Sequence, residues 1–260
     1  MTHNGTRTPA RVIKLGGRAQ SDRALPDAIA AASRDASRAL CVVHGGGDEV
    51  SSLQRRLGGE PTFVGGRRVT TAADIDVVRM VLSGTVNKRL VAAIISAGAQ
   101  AVGLSGEDAS LLTARVGEHE RLGLVGEPVG VNVELLETLF ASLYVPVISP
   151  LARDVDSGST LNVNGDDAAA AIAAALGAEE LLFIADVPGV MEDGAVLEAI
   201  DADFAVALVA RGTATAGMAA KLDAARRALA GGVSRVRIGD IGALRGEHSG
   251  TAITLSPTAV

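Results

Sequence analysis

The chain contains a single cysteine, Cys41, which excludes an internal disulfide and any zinc site built from several cysteines. Cys41 lies within the apolar run Leu40–Val43, and we therefore expect a buried strand residue, not a nucleophile. Aromatic residues make up only 2% of the chain, with no Trp and one Tyr. Few side chains are thus available for stacking a base or a sugar ring. We expect a bound nucleotide to be held by backbone groups and charge.

Signals for membranes, secretion or nucleic acid are also missing. Residues 1–11 are polar and have no apolar core of a signal peptide, and no run of about 18 apolar residues follows that would cross a bilayer. The net charge of -6 argues against nucleic-acid binding, which needs clustered Lys and Arg. These features predict a cytoplasmic protein whose partner is a small molecule, with neither nucleic acid nor a membrane involved.

Lysine is scarce as well. Of the 24 basic residues, 21 are Arg and only Lys14, Lys88 and Lys221 are Lys. Chance in a GC-rich genome would account for any one of them. However, an ammonium group is a compact, mobile point charge and differs chemically from the planar guanidinium, so the three lysines call for specific explanations.

Short apolar runs alternate with amphipathic or Ala-rich stretches along the chain. The runs suit strands buried on both faces, namely 12–15, 40–43, 101–104, 145–148, 181–184 and 233–238. The intervening stretches predict helices at 24–33, 49–57, 74–97, 134–141, 166–176 and 218–230. This alternation, with 48% hydrophobic residues in 260, predicts one α/β unit with a mainly parallel sheet that is covered on both sides.

The middle of the chain departs from this alternation. Leu111–Arg115, Leu122–Val125 and the turn around 154–159 predict short antiparallel pieces and hairpins. We expect these pieces to form a lid or rim.

Two glycine turns directly follow predicted strands, at Lys14-Leu15-Gly16-Gly17 and His44-Gly45-Gly46-Gly47. Glycines there let backbone N–H groups approach an anion, at the edge where open α/β sheets bind ligands. Neither G-x-x-x-x-G-K-S/T nor G-x-G-x-x-G occurs in the chain. His44 is expected to be a structural hydrogen-bonding residue instead of a catalyst.

Four further segments carry polar groups at predicted turns. Gly65–Thr70 contains two arginines, whose forked guanidinium groups suit a carboxylate. Asn162–Asp167 opens an Ala-rich helix with four Asn and Asp residues, although a helix cap needs only one. Asp186–Met191 follows an apolar strand, and Thr213–Lys221 enters a helix. Each is an ordinary turn in isolation.

In this order, the six segments resemble the amino-acid kinase family, from Val12 to about Thr251. The stretches 86–88, 101–106, 122–126 and 131–132 are similar to that family too. The resemblance implies a three-layer αβα sandwich with a central, mainly parallel sheet, as a single kinase domain over 1–260. It also implies an N-terminal lobe at about 1–177, for the acyl-amino-acid site and dimerisation, and a C-terminal lobe at about 178–260 for ATP.

Carried over position by position, the resemblance implies roles for individual residues. Lys14 and Lys221 match the lysines that stabilise the transferred phosphoryl group, and Asp166 matches the aspartate that orients them. The positions implied for substrate binding are Gly46, Gly47, Arg68, Asn162 and Asn164. Those implied for ATP are Gly16, Gly17, Asp186, Val187, Pro188, Gly189, Val190, Met191, Thr213, Ala214 and Thr215. Mg²⁺ is expected to be held mainly by the nucleotide phosphates, with no metal-binding residues, and Lys88 is expected to be structural.

The implied reaction is ATP-dependent phosphorylation of the side-chain carboxylate of N-acetyl-L-glutamate, which gives N-acetyl-glutamyl 5-phosphate and ADP in arginine biosynthesis. Such a carboxylate is ionised at neutral pH and needs no general base. Catalysis then depends mainly on positioning and electrostatics.

Three alternatives stay open: a kinase of carrier-linked aminoadipate or glutamate, an inactive amino-acid-sensing module and, less favoured, a dinucleotide-dependent oxidoreductase. Ala216 departs from the Asp or Gly of many relatives, and the stretch 191–196 is short. Only about ten residues precede the first predicted strand, whereas arginine-regulated relatives have an extra N-terminal helix. We therefore expect a homodimer that is insensitive to arginine.

Overall fold

The structure is a computed structural model that describes residues 9–117, 120–214 and 216–255. Its strands are β1 (Ala10–Leu15), β2 (Ala39–His44), β3 (Phe63–Val64), β4 (Arg67–Arg68), β5 (Ala101–Ser105), β6 (Leu112–Val116), β7 (Val125–Val131), β8 (Val145–Ser149), β9 (Leu151–Asp154), β10 (Thr160–Val163), β11 (Glu180–Ile184), β12 (Met191–Glu192), β13 (Ala195–Val196), β14 (Ala199–Asp201), β15 (Arg235–Gly239) and β16 (Thr251–Thr254). The α-helices are α1 (Leu25–Ser33), α2 (Gly47–Arg56), α3 (Ala72–Arg79), α4 (Asn87–Ser96), α5 (Val133–Ala141), α6 (Gly165–Leu176), α7 (Ala202–Ala210) and α8 (Ala216–Ala230). No helix in the described ranges is long and apolar enough to cross a bilayer.

One eight-stranded sheet forms the centre of the molecule, in the order β14-β16-β15-β11-β1-β2-β8-β5. Every neighbouring pair in it is parallel except β15 and β16. The prediction of a mainly parallel sheet is confirmed.

Side chains of the central strands point alternately into two hydrophobic cores. Val12 and Cys41 belong to one core, and their neighbours Ile13 and Val42 belong to the other. Helices α5, α6 and α8 pack on one face of the sheet, while α1 and α4 pack on the opposite face. The inner strands β1, β8 and β11 are therefore buried on both faces, which explains their unalternated apolar runs. The predicted αβα sandwich is confirmed.

The predicted helix over 74–97 is wrong as a single regular α-helix. α3 passes into a π-helical segment, Met80–Val86, before α4 begins. Such wide turns are frequent at functional sites. Here the segment places Leu82 and Val86 against the turn at Gly46, where an added Cβ would lie 2.8 Å from Leu82 Cδ2.

The antiparallel pieces predicted in the middle of the chain form a closed four-stranded sheet, in the order β10-β7-β6-β9. Residues 122–125 are not a strand of their own, because a short 3-10 turn ends at Leu122 and β7 begins at Val125. This four-stranded sheet packs through β7 against α6 and through β10 against α3.

The sequence patterns missed α7, the strands β14 and β16 at one edge of the central sheet, and the two-residue strands β3, β4, β12 and β13. Residues 202–210 (ADFAVALVA) are almost uniformly apolar and show no helical periodicity, while β14 and β16 are only three and four residues long. The central sheet runs through both expected lobes, and the expected division at residue 177 falls between α6 and β11.

Candidate active site

A cluster of opposite charges lies where β1 and α6 meet. Lys14 Nζ, from β1, is 2.8 Å from Asp166 Oδ1 in the first turn of α6. Lys221 Nζ, from α8, is 3.4 Å from Asp166 Oδ2. The three side chains are 9%, 6% and 12% exposed. One carboxylate thus holds two ammonium groups in a largely dry environment, and one positive charge is left over for an anion.

The environment shifts the pKa of two members of this cluster. Burial alone would raise the pKa of Asp166, but Lys14 and Lys221 outweigh burial and hold it below the usual value. Burial, together with the charge of Lys14, lowers the pKa of Lys221, and Asp166 offsets only part of this effect. Asp166 is therefore ionised at neutral pH, and Lys221 loses its proton more easily than an exposed lysine.

Asn164 places Asp166 at the positive end of α6. Its Oδ1 accepts hydrogen bonds from the backbone N–H groups of Asp166, at 2.8 Å, and Asp167, at 3.4 Å. This is helix capping, and the helix dipole favours a carboxylate in the first turn. The sequence resemblance assigned Asn164 to substrate binding, whereas in the structure its side-chain oxygen has this capping role.

The two glycine turns lie side by side at the carboxyl ends of β1 and β2. Gly46 has φ +149° and faces Leu82 and Val86, so a side chain there has neither a favourable backbone conformation nor room. At Gly16, an added Cβ would lie 2.9 Å from the Ile184 carbonyl oxygen. Gly47 opens α2, which directs free backbone N–H groups towards the same edge of the sheet.

His44 supports this turn from beneath. The ring is fully buried, Nδ1 lies 2.8 Å from the Gly45 carbonyl oxygen, and Nε2 lies 3.1 Å from Asn87 Nδ2. The contacts fit a neutral ring that donates from Nδ1 and accepts at Nε2. Burial lowers the pKa of His44 to about 4, so the ring is neutral at pH 7. Lys88, the third lysine, donates to the Gly103 carbonyl oxygen and to Asn87 Oδ1, away from Asp166.

Arg68 brings a third buried cation to the site, besides Lys14 and Lys221. Its Nη2 donates to Gly47 O and to Ser51 Oγ, both at 2.7 Å, and its Nη1 donates to Gln54 Oε1. The guanidinium lies 4.7 Å from the centre of the Phe63 ring. Burial lowers the pKa of Arg68, and none of the ion pairs in the described residues neutralises it directly. A buried, unneutralised arginine beside a cavity is suited to a carboxylate.

These groups surround a cavity of about 200 Å³, which we call the Lys14 cavity. It brings together seven residues expected from the sequence: Lys14, Gly46, Gly47, Arg68, Asn162, Asn164 and Asp166. The sequence analysis missed the other lining residues, Gly45, Val50, Phe63, Gly66, Arg67, Val78, Leu82, Val125, Pro150, Val163 and Gly165. Most of these are apolar residues from separate elements. Those that lay within segments singled out by the sequence analysis are Gly45, Gly66, Arg67, Val125, Val163 and Gly165.

A second cavity, of about 140 Å³, lies beside the start of α8 and is mainly apolar; we call it the Met191 cavity. Its lining contains six of the residues expected for ATP: Val187, Gly189, Val190, Met191, Thr213 and Ala214. Leu208 and Met218 also line it and were missed. Met218 and Lys221 are three residues apart on α8 and thus neighbours on its surface, so this helix connects the cavity to the charge cluster.

The remaining residues expected for ATP lie outside the Met191 cavity. Asp186 pairs with Arg18 at 3.0 Å on the surface, and the Pro188 carbonyl oxygen lies beside Gly239. Gly16 and Gly17 follow Lys14 at the end of β1. Thr215 falls outside the described residues. Among His, Cys, Asp and Glu in the described ranges, no group of three is arranged to hold a metal ion.

The mainly parallel sheet presents two lysines around one buried carboxylate, between a cavity with charged groups and an apolar cavity. This arrangement suits an enzyme that transfers a phosphoryl group, because such transfer depends on positioned positive charge. Comparison with known proteins specifies the class. Residues 9–240 match the amino acid kinase family, and the chain belongs to this family. The family resemblance found in the sequence is confirmed.

Individual relatives are similar over most of their length. The acetylglutamate kinase of Nostoc punctiforme is 43% identical over 239 residues, which cover 88% of this chain and 79% of that protein. The acetylglutamate kinase of Roseiflexus castenholzii is 43% identical over 240 residues, which cover 92% of each chain. Among solved structures, smu.665 from Streptococcus mutans is 29% identical with a TM-score of 0.84, covering 95% of this chain and 99% of that one.

Proposed function

We propose that the protein catalyses ATP-dependent phosphorylation of the side-chain carboxylate of N-acetyl-L-glutamate, giving N-acetyl-glutamyl 5-phosphate and ADP, a reaction of arginine biosynthesis. The observation that carries this proposal is the cluster of Lys14, Asp166 and Lys221, which joins the Lys14 cavity to the helix that borders the apolar Met191 cavity. The name shared by the relatives, acetylglutamate kinase, supports this substrate.

The chemistry asks for charge stabilisation and not for proton transfer. An ionised carboxylate oxygen of the substrate attacks the γ-phosphorus of ATP, and the bond to the bridging oxygen breaks, which releases ADP. Both reactants are anionic, so their repulsion must be relieved. Lys14 and Lys221 supply two mobile cations, and Asp166 keeps them close together. His44 is neutral and bonded to Asn87, and it has no part in this step.

The Lys14 cavity supplies separate groups for the acyl amino acid. Arg68 offers a buried guanidinium for the α-carboxylate, and the turn at Gly46 and Gly47 offers backbone N–H groups. Asn162 donates to Thr70 Oγ1 at 3.0 Å, which orients its amide at the cavity wall. The apolar residues Val78 and Leu82 suit the methylene chain and the acetyl group.

The Met191 cavity is proposed for the adenine base. Its lining is mainly aliphatic and its volume is about 140 Å³, which suits a flat base held without aromatic stacking. Mg²⁺ would neutralise part of the phosphate charge and is proposed to be held mainly by the nucleotide. All lining residues of the Met191 cavity follow residue 177, and all those of the Lys14 cavity precede it. This separation supports the proposed C-terminal lobe for ATP and the proposed N-terminal lobe for the acyl amino acid.

The test is an acyl-phosphate assay in which hydroxylamine traps the product. We expect turnover with N-acetyl-L-glutamate but not with free glutamate, aspartate or aminoadipate. Lys14→Ala and Lys221→Ala should each reduce kcat by about 10²–10³-fold, the usual effect of losing one group that stabilises transition-state charge. Lys88→Ala, which removes the lysine outside the cluster, is the matched control and should retain activity.

Two outcomes would contradict the proposal. Turnover of none of the four compounds would favour a carrier-linked substrate or an inactive sensing module. Full activity in both cluster variants would show that the two lysines do not stabilise the transferred group.

We also propose a cytoplasmic homodimer. β5 is an edge strand of the central sheet, and Ile95, Leu143 and Tyr144, which lie at the ends of the elements next to it, are 51%, 78% and 41% exposed. Unpaired edges with apolar neighbours tend to be covered by another chain.

Light scattering should give twice the monomer mass, and Leu143→Glu should reduce the measured mass. A hexamer, or inhibition by arginine, would contradict the expectation of an arginine-insensitive dimer.

A further inference from the structure

Asp167 follows Asp166 on α6 but contacts a different set of charges. Its side chain is 7% exposed, and Oδ2 lies 2.9 Å from Arg67 Nη2. Oδ1 accepts a hydrogen bond from Arg227 Nη2, and Arg227 also pairs with Asp223 one turn earlier on α8. One buried carboxylate therefore contacts two arginines from elements that are far apart in the sequence.

Arg67 ties the β3–β4 hairpin to α6. Neighbouring residues of a strand point to opposite sides, and in β4 Arg68 turns to α2 while Arg67 turns to Asp167. Arg67 and Arg68 both line the Lys14 cavity. The hairpin at the proposed acyl-amino-acid site is thus held on both of its sides by ion pairs or hydrogen bonds.

Arg227 ties α8 to the same carboxylate. α8 also carries Lys221, six residues away or about 9 Å along the helix axis. α6 and α8 are consequently joined at two points, by Asp166 with Lys221 and by Asp167 with Arg227. The second connection limits how far α8 can slide or tilt, and hence where Lys221 is directed.

The two arginines depend on each other through Asp167. Burial raises the pKa of Asp167, and the charges of Arg227 and Arg67 offset this only in part, so the carboxylate is costly to bury. If Arg67 or Arg227 moves away from Asp167, the cost of burying the carboxylate is offset by one arginine alone, and the Asp167 charge is left poorly paired. Displacing the hairpin therefore weakens the attachment of α8, and displacing α8 weakens that of the hairpin.

We propose that Asp167 is a positioning residue that couples the β3–β4 hairpin to helix α8, so that a substrate in the Lys14 cavity favours the alignment of Lys221 for the nucleotide. This inference rests on the function proposed above. It predicts that N-acetyl-L-glutamate and the nucleotide bind cooperatively, and that the cooperativity depends on the two ion pairs of Asp167.

Calorimetry tests the inference directly. The Kd of a non-hydrolysable ATP analogue is measured with Mg²⁺, with and without saturating N-acetyl-L-glutamate. In the wild type, the acyl amino acid should lower this Kd by about fivefold or more. Asp167→Asn, Arg67→Gln and Arg227→Gln should each bring the ratio close to one. Arg226→Gln is the matched control, since Arg226 is the neighbouring α8 arginine and, among the residues that the structure describes, pairs with Asp223 alone, at 3.6 Å.

A structural role alone would lower the melting temperature and leave the ratio of the two Kd values unchanged. A folded Asp167→Asn variant with the wild-type ratio would overturn the inference, as would a wild type without cooperativity. If Asp167→Asn does not fold, the two arginine variants decide, because their side chains are 25% and 47% exposed and easier to replace. If the wild type turns over N-acetyl-L-glutamate and the variants keep the wild-type ratio of Kd values, the coupling alone is contradicted. If the wild type shows no turnover, the proposed function is contradicted as well.

Discussion

Asp166→Asn tests the charge cluster at the centre of the site. The substitution preserves the shape of the side chain and removes its negative charge. The carboxylate lies 2.8 Å from Lys14 Nζ and 3.4 Å from Lys221 Nζ. At an effective dielectric constant of about 20, these attractions amount to about 6 and about 5 kcal/mol. Much of this offsets the desolvation of three charges, and removing one partner of a buried ion pair costs about 3–5 kcal/mol.

The loss of stability should depend on pH. Burial and the charge of Lys14 already lower the pKa of Lys221, and without Asp166 we expect it to fall further. The folded variant then binds fewer protons than the unfolded chain between that lowered pKa and the usual value of about 10.5, so its stability rises with pH. The difference from the wild type should be largest near pH 7 and smaller near pH 10.

Urea denaturation followed by circular dichroism gives the free energy of unfolding at both pH values. Asp76→Asn is the control, since Asp76 is 70% exposed in its pair with Arg79 and should cost less than about 1 kcal/mol. A loss below about 1 kcal/mol in Asp166→Asn, or one that is the same at pH 7 and pH 10, would refute the reasoning. The hydroxylamine assay should also show a large fall in kcat, because the two lysines are no longer held together.

Two further predictions concern the turn after β2. Gly46→Ala should destabilise the protein by about 1–3 kcal/mol and raise KM for N-acetyl-L-glutamate, because its Cβ would lie 2.8 Å from Leu82 Cδ2. Gly212→Ala is the control, since Gly212 has φ +72° and no described atom lies within 4 Å of the added Cβ. This control should cost only about 1–2 kcal/mol and leave KM unchanged. Burial lowers the pKa of His44 to about 4. Between pH 6.5 and 4 the unfolded chain therefore binds a proton at His44 that the folded protein does not bind. The free energy of unfolding should fall by about 3 kcal/mol over this range. A His44→Gln variant should lose less stability over this range. An equal loss in the variant and the wild type would show that His44 is not the group responsible.

Much of the fold follows from local patterns. The apolar runs predicted six strands of the central sheet, because a parallel strand covered on both faces contains few polar residues. The glycine turns predicted where the site lies, because ligands of open α/β sheets bind beyond the carboxyl ends of the strands. Family membership followed from the order of six short segments and is confirmed by the match over residues 9–240.

Other features left no local signal. The π-helical segment at 80–86 has the sequence pattern of an ordinary amphipathic helix, and it was missed because that pattern does not show that Leu82 and Val86 meet the distant Gly46. Likewise, α7 was missed because an almost uniformly apolar stretch has no period to detect.

The sequence by itself determined the alternation of strands and helices and the kinds of residue available for phosphoryl transfer, including the placement of two of its three lysines in motifs. Only the tertiary structure decided how they meet. Asp166 and Asp167 are adjacent in the sequence, yet one contacts Lys14 and Lys221 and the other contacts Arg67 and Arg227. The reason is geometric: successive residues on a helix differ in direction by about 100°, and the partner each one meets depends on the packing of β1, β4 and α8 around it.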